Sequence, residues 1–139
     1  MGPLTAALTS RQANRGTAAI AGLAVTFVVA GCGTAAIAVQ AMEYRFAPET
    51  IRVAAGQPVR LVLTNAGQLE HDLVVERLPA KGVRAPGGQH GHGGEVAAHA
   101  LPGRQAWVEL TPTAPGTYDV SCTVPGHKDL GMRGTLIVE

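Results

Sequence analysis

Near the end of the 139-residue chain stands Cys122-Thr-Val-Pro-Gly-His127-Lys-Asp-Leu-Gly-Met132: a thiol, an imidazole and a thioether on one short stretch bracketed by Pro125, Gly126 and Gly131. Soft sulfur donors select copper or zinc over calcium or magnesium. A structural zinc site asks for four Cys or His ligands, and a thioether serves zinc poorly. Two imidazoles, one thiolate and a distant axial thioether instead make a trigonal copper site suited to electron transfer. That set needs a second histidine. His71, in Asn65-Ala-Gly-Gln-Leu-Glu-His71-Asp72 just before the apolar run Leu73–Val75, is the best placed. Taken singly, Cys122 reads as a buried core cysteine, Met132 as core filler and His71 as a hydrogen-bonded strand end. In this order and at this spacing they point jointly to a metal.

Ligands on a tight loop need strands to hold them, and the sequence supplies strands. From Ala41 onward period-2 runs alternate with turn clusters. Ile37–Phe46 alternates loosely and is broken by Ala47-Pro48. Glu49–Val53, Val59–Leu63, Asp72–Val75, Gln105–Leu110, Thr117–Cys122 and Thr135–Val138 follow, separated by Gly, Pro and Asn. This spacing predicts an all-β sandwich or barrel, with Cys122 ending one strand and Thr135 opening the next. Trp107 is expected as a core anchor. No segment is convincingly an amphipathic helix. Leu78–Gly103 breaks the rhythm with Pro79, Pro86, Pro102, several glycines and His90, His92 and His99. A connection this long is normally functional or mobile, and a short helix is expected near Glu95–Ala100. Its histidines read as solvated loop residues, as a weak accessory copper-loading site, or as a pH-sensitive partner contact.

Composition narrows the class. The chain is 46% hydrophobic, which is too apolar for disorder, and its two cysteines cannot build a disulfide-dense scaffold. A formal net charge of +1 gives no clustered basic excess for nucleic acid. The charge is unevenly spread: no Asp or Glu precedes Glu43, and Arg11 and Arg15 lead into an uncharged run ending Val29-Ala30-Gly31-Cys32. A basic stretch, an apolar stretch and then small residues is the layout of an export signal. The ending resembles the bacterial lipobox, which implies that Cys32 is acylated and residues 1–31 are removed. An uncleaved anchor and a plain cleaved signal are the other readings, and each exports the rest of the chain. Removing residues 1–31 takes both arginines with it and turns the charge slightly negative. With Cys32 lipidated, Cys122 has no disulfide partner.

Beyond this signal, the chain resembles the cupredoxins, the plastocyanin/azurin superfamily of single-domain blue copper proteins. The likeness runs from Tyr44-Arg-Phe46-Ala-Pro48 through Gly56-Gln-Pro-Val59, Asn65-Ala-Gly67, His71-Asp72 and Pro115-Gly-Thr-Tyr118 to Cys122-x4-His127-x4-Met132-x-Gly134. The loop spacing is similar to that of auracyanin, rusticyanin and sulfocyanin. The resemblance implies a Greek-key β-sandwich over residues 41–139, with 78–103 as an insertion and 32–40 as a short tether. It implies one type 1 copper on His71, Cys122, His127 and axial Met132, and a role as an electron carrier rather than an enzyme. Multicopper oxidases need several His-x-His pairs over two or more domains, whereas here His90-Gly-His92 stands alone. A copper chaperone or reservoir is the alternative. The His127 ring edge is expected at the surface, where redox partners dock transiently on a monomer. Many members carry Asn or Ser where this chain has Asp72. Its backbone N–H is expected to serve the thiolate in their place, and its carboxylate to favour Cu(II) and lower the potential.

Overall fold

The computed structural model describes residues 33–86 and 95–139. The expected signal segment, Cys32, His90 and His92 therefore lie outside the described residues. Among the described residues ten strands form: β1 (Ala35–Met42), β2 (Arg45–Ala47), β3 (Thr50–Val53), β4 (Val59–Asn65), β5 (His71–Val75), β6 (Ala80–Arg84), β7 (Val96–Ala100), β8 (Gln105–Pro112), β9 (Gly116–Ser121) and β10 (Arg133–Val138). They make two five-stranded sheets, in the orders β2-β1-β4-β8-β6 and β3-β10-β9-β5-β7. From β2 to β9 every connection crosses from one sheet to the other, and only β1–β2 and β9–β10 stay within a sheet. The pairs β1–β4 and β3–β10 are parallel, and the rest are antiparallel. Among the described residues no helix is long and apolar enough to cross a membrane.

The pleat explains the core. β4 buries Val59, Leu61, Leu63 and Asn65 and turns Arg60, Val62 and Thr64 outward, so every second residue enters the space between the sheets. Val39, Val108 and Leu110 from the same sheet meet Leu73, Val75, Val120 and Leu136 from the other. Burying such side chains contributes roughly 1.5–3 kcal/mol each before the entropy of ordering is charged against it.

Three expectations are corrected. The first strand begins at Ala35, inside the 32–40 segment expected as a tether, because Ala35–Ala41 pairs residue for residue with Val59–Asn65 of β4. Glu95–Ala100 is strand rather than helix: Val96–Ala100 pairs antiparallel with His71–Val75 and buries all its side chains but that of His99. The helical preference of its alanines is overridden by that tertiary pairing. The segment 78–103 also holds β6, so its described residues include two strands. Trp107 is not a core anchor. Val108 and Leu110 point inward, so the pleat sends Trp107 outward, where the Arg60 guanidinium stacks 4.4 Å from the ring centroid.

Candidate metal centre

One end of the sandwich gathers the β1–β2, β4–β5, β7–β8 and β9–β10 connections. His71 is the first residue of β5, opposite Ala100 of β7. Its place is set by Asn65 at the end of β4, which is 1% exposed. The Asn65 amide donates to the carbonyls of Leu69 at 2.7 Å and Ala100 at 2.9 Å, and its Oδ1 accepts the Gly67 N–H at 2.9 Å. One side chain thus ties the loop before His71 to the strand beside it.

Cys122 follows β9 directly, and the loop it opens closes upon itself. The Cys122 N–H donates to Met132 O at 3.2 Å, the Met132 N–H to His127 O at 3.0 Å, and the His127 N–H to Val124 O at 3.0 Å. Gly126 and Gly131 take the left-handed φ values of +83° and +103° that such a tight path demands.

These two supports bring His71, Cys122 and His127 together. One donor atom from each lies within 4.8 Å of the others. The Cys122 Sγ stands 3.5 Å from His127 Nδ1, and the imidazole centroids are 5.0 Å apart. Met132, on the same loop, is fully buried. Both ring nitrogens of His71 are buried with no hydrogen-bond partner among the described residues. A buried polar atom without a partner is costly, and a metal is the partner this donor set fits. Three strong donors, with a buried thioether on the same loop, suit copper better than structural zinc.

Burial pushes the Cys122 thiol up to about 11, against the pull of the Asp72 and Val124 backbone N–H groups, while the Asp72 carboxylate adds to the rise. The Asp72 N–H lies 3.5 Å from Sγ, so the expected backbone donor is present. The carboxylate does something the sequence did not foretell. It accepts the Thr123 N–H at 2.6 Å and the Thr123 hydroxyl at 2.5 Å, strapping β5 to the residue after the thiol. Burial, then the neighbouring His127, holds His71 below its ordinary value. Imidazole and thiol are therefore both neutral near pH 7, and a metal ion entering as thiolate complex displaces one proton.

His127 is 6% exposed, and the Tyr44 ring meets it edge-on at 5.3 Å. His99 sits on β7 rather than in a mobile loop, with Nε2 3.5 Å from Glu70 Oε2. Asn65, Thr123, Glu43 and Tyr44 were not singled out from the sequence as parts of the site. Of these only Asn65 carried a signal, the Asn-x-Gly of an Asx turn.

A cupredoxin-like domain family matches residues 16–138. The chain belongs to the cupredoxin-like family. This cupredoxin is 35% identical over 100 residues to the copper-resistant cuproprotein CopI of Rubrivivax gelatinosus, covering 68% of the chain and 59% of that relative's length. It is 30% identical over 127 residues to the copper-resistant cuproprotein CopI of Pseudomonas aeruginosa, covering 68% of the chain and 70% of the relative. Its fold is similar to dithionite-reduced auracyanin from the photosynthetic bacterium Roseiflexus castenholzii, with a TM-score of 0.61 and 21% identity over 77% of this chain and 99% of that one. Fold, family and donor set together make this cupredoxin a copper protein with a site for one ion.

Proposed function

We propose that this cupredoxin is an exported carrier of single electrons, with His71, Cys122, His127 and axial Met132 as the ligands of one type 1 copper. The observation that carries this reading is the convergence of three buried donors within 4.8 Å, held by hydrogen bonds of the protein's own backbone and of Asn65. Bound copper would supply a Cu(II)/Cu(I) couple, tuned by the axial ligand and by hydrogen bonds to the sulfur. The chain's part is to keep the donors still. The self-closed 122–132 loop and the Asp72–Thr123 strap leave little freedom for the ligands to rearrange.

The surface above the site suits brief docking. The exposed large hydrophobics among the described residues are Tyr44, Leu69, Leu101 and Leu130. They stand on four different connections at the end that holds the metal centre. Lys128 is engaged by Glu76, and Asp129 and Arg133 add opposite charges, so steering toward a strongly charged partner is weak. That surface supports a reading in which donor and acceptor redox proteins meet a monomer at this apolar face. Export by residues 1–31, with lipid on Cys32 holding the carrier at the outer side of a membrane, is part of the same proposal.

A second reading is copper capture or storage, favoured by the name of both curated relatives, copper-resistant cuproprotein. Protein-film voltammetry with a chelator challenge separates the two. A reversible one-electron wave and copper retained for hours support the carrier. A colourless ion surrendered within seconds, with no reversible wave, supports capture and overturns the carrier.

A further inference from the structure

The turn between β1 and β2, like the β7–β8 connection, contributes no donor, yet it alone of those two reaches toward both imidazoles among the described contacts. Glu43 lies over His71. Its Oε1 accepts the Gln68 N–H at 2.5 Å and packs on bare Gly67. A Cβ built on Gly67 would stand 2.5 Å from Glu43 Oε1 and 3.0 Å from His71 Nε2, so carboxylate and ring nitrogen crowd the same glycine. Tyr44 lies over His127, its ring edge-on at 5.3 Å and 86°. The tyrosine is 36% exposed and the histidine beneath it 6%.

The backbone marks this turn as more than a connector. Tyr44 has φ +62°, a left-handed conformation that glycine takes freely and that costs a side-chain-bearing residue roughly 1–2 kcal/mol. An aromatic residue brings nothing to such a turn, and its strain is retained because the rest of the structure holds it there. What the strained residue places is a ring on His127.

We propose that the Glu43–Tyr44 turn is a cap over the two imidazoles that governs how fast metal and water reach them. The proposal rests on the reading of His71 and His127 as copper ligands. Neither capping residue is itself a donor; both are positioning residues. Tyr44 closes the solvent side of His127 with its ring, and Glu43 pins the 67–68 backbone against His71. The carrier and capture readings differ in how readily the ion leaves, so this turn is where the chain would set that difference.

The test uses Tyr44→Gly, Tyr44→Phe and Glu43→Gln in the full chain, with two readouts. The first is hydrogen–deuterium exchange at the ring C2 of His71 and His127 in metal-free protein. The second is the rate at which bathocuproine disulfonate captures Cu(I) from loaded protein. Glycine suits the backbone of position 44, so Tyr44→Gly removes the ring without unfolding the turn. It is expected to speed exchange at His127 but not at His71, and to speed copper capture about tenfold, with the denaturation midpoint unchanged or raised. Tyr44→Phe keeps the ring and should match the wild type, and Glu43→Gln should speed capture less than Tyr44→Gly does. Unchanged His127 exchange and unchanged capture in Tyr44→Gly would overturn the cap, as would Tyr44→Phe behaving like Tyr44→Gly. Should wild type bind no copper, the ligand reading falls, and exchange at His127 then decides the cap by itself.

Discussion

Cys122, His127 and Met132 hang on one loop closed by its own backbone, whereas His71 hangs on a strand end placed by residues from four other parts of the chain. Remove everything but residues 122–132 and the loop's internal hydrogen bonds can still be drawn. His71 has no such local frame. Its strand pairs with β7, its loop is tied through Asn65 to Leu69 and Ala100, and Glu43 crowds it through Gly67. A metal centre can thus join a locally encoded half to a half that exists only when both sheets are assembled. The two halves should fail differently.

The largest difference is expected at Asn65. Asn65→Ala leaves two carbonyls and one N–H near the core without their partner, which costs about 2–4 kcal/mol of stability in denaturant unfolding. It should displace His71 while leaving the Cys122–His127 contact in place, as NMR of the metal-free protein would report. A cost below about 0.5 kcal/mol would mean that His71 is held by something other than this amide.

Acid and alkali should attack opposite halves of the metal-free site. His71 has its folded value below the ordinary 6.5, so its contribution is whole above 6.5 and is lost as pH falls below it. Cys122 has its folded value raised from 9.0 to about 11, so its contribution is whole below 9.0 and is lost as pH rises toward 11. Stability should therefore peak between these limits, with a fall on the order of 1–3 kcal/mol on the alkaline side that Cys122→Ala abolishes. An alkaline fall that survives Cys122→Ala belongs to another group.

Asp72 joins the halves, and its substitution sharpens the comparison. Asp72→Asn retains the backbone N–H to Sγ but removes a negative charge, so the copper potential should rise by less than about 59 mV, the tenfold step of a one-electron couple. A potential that fell or stayed level would count against the charge argument. The smallest effect belongs to the loop's outer anchor. Glu76 receives Ser121 and Lys128 at a half-exposed surface, and Glu76→Gln should cost less than about 1 kcal/mol. A loss as large as that of Asn65→Ala would show that the 122–132 loop is not self-supporting.

This division also explains what could be read from the sequence. The soft donors, their order and the turn residues between them are adjacent in the chain, so the loop half was legible from residue types alone. The alternation of Val59–Leu63 gave the sheets in the same way. Trp107 misled because its bulk suggests burial, while the parity of Val108 and Leu110 decides its face. Val96–Ala100 misled because alanine favours helix and only pairing with His71–Val75 makes it strand. The roles of Glu43 and Tyr44, and the Asn65 bond to Ala100, arise from contacts between distant segments, which no local pattern records.

The central claim, that Cys122 binds copper as a thiolate beside two imidazoles, is tested most directly by the visible spectrum during copper titration of wild type and Cys122→Ser. An intense thiolate-to-copper band that saturates at one copper per chain and is absent from Cys122→Ser is the predicted result. Bound copper without that band, or a band that survives the substitution, would contradict it.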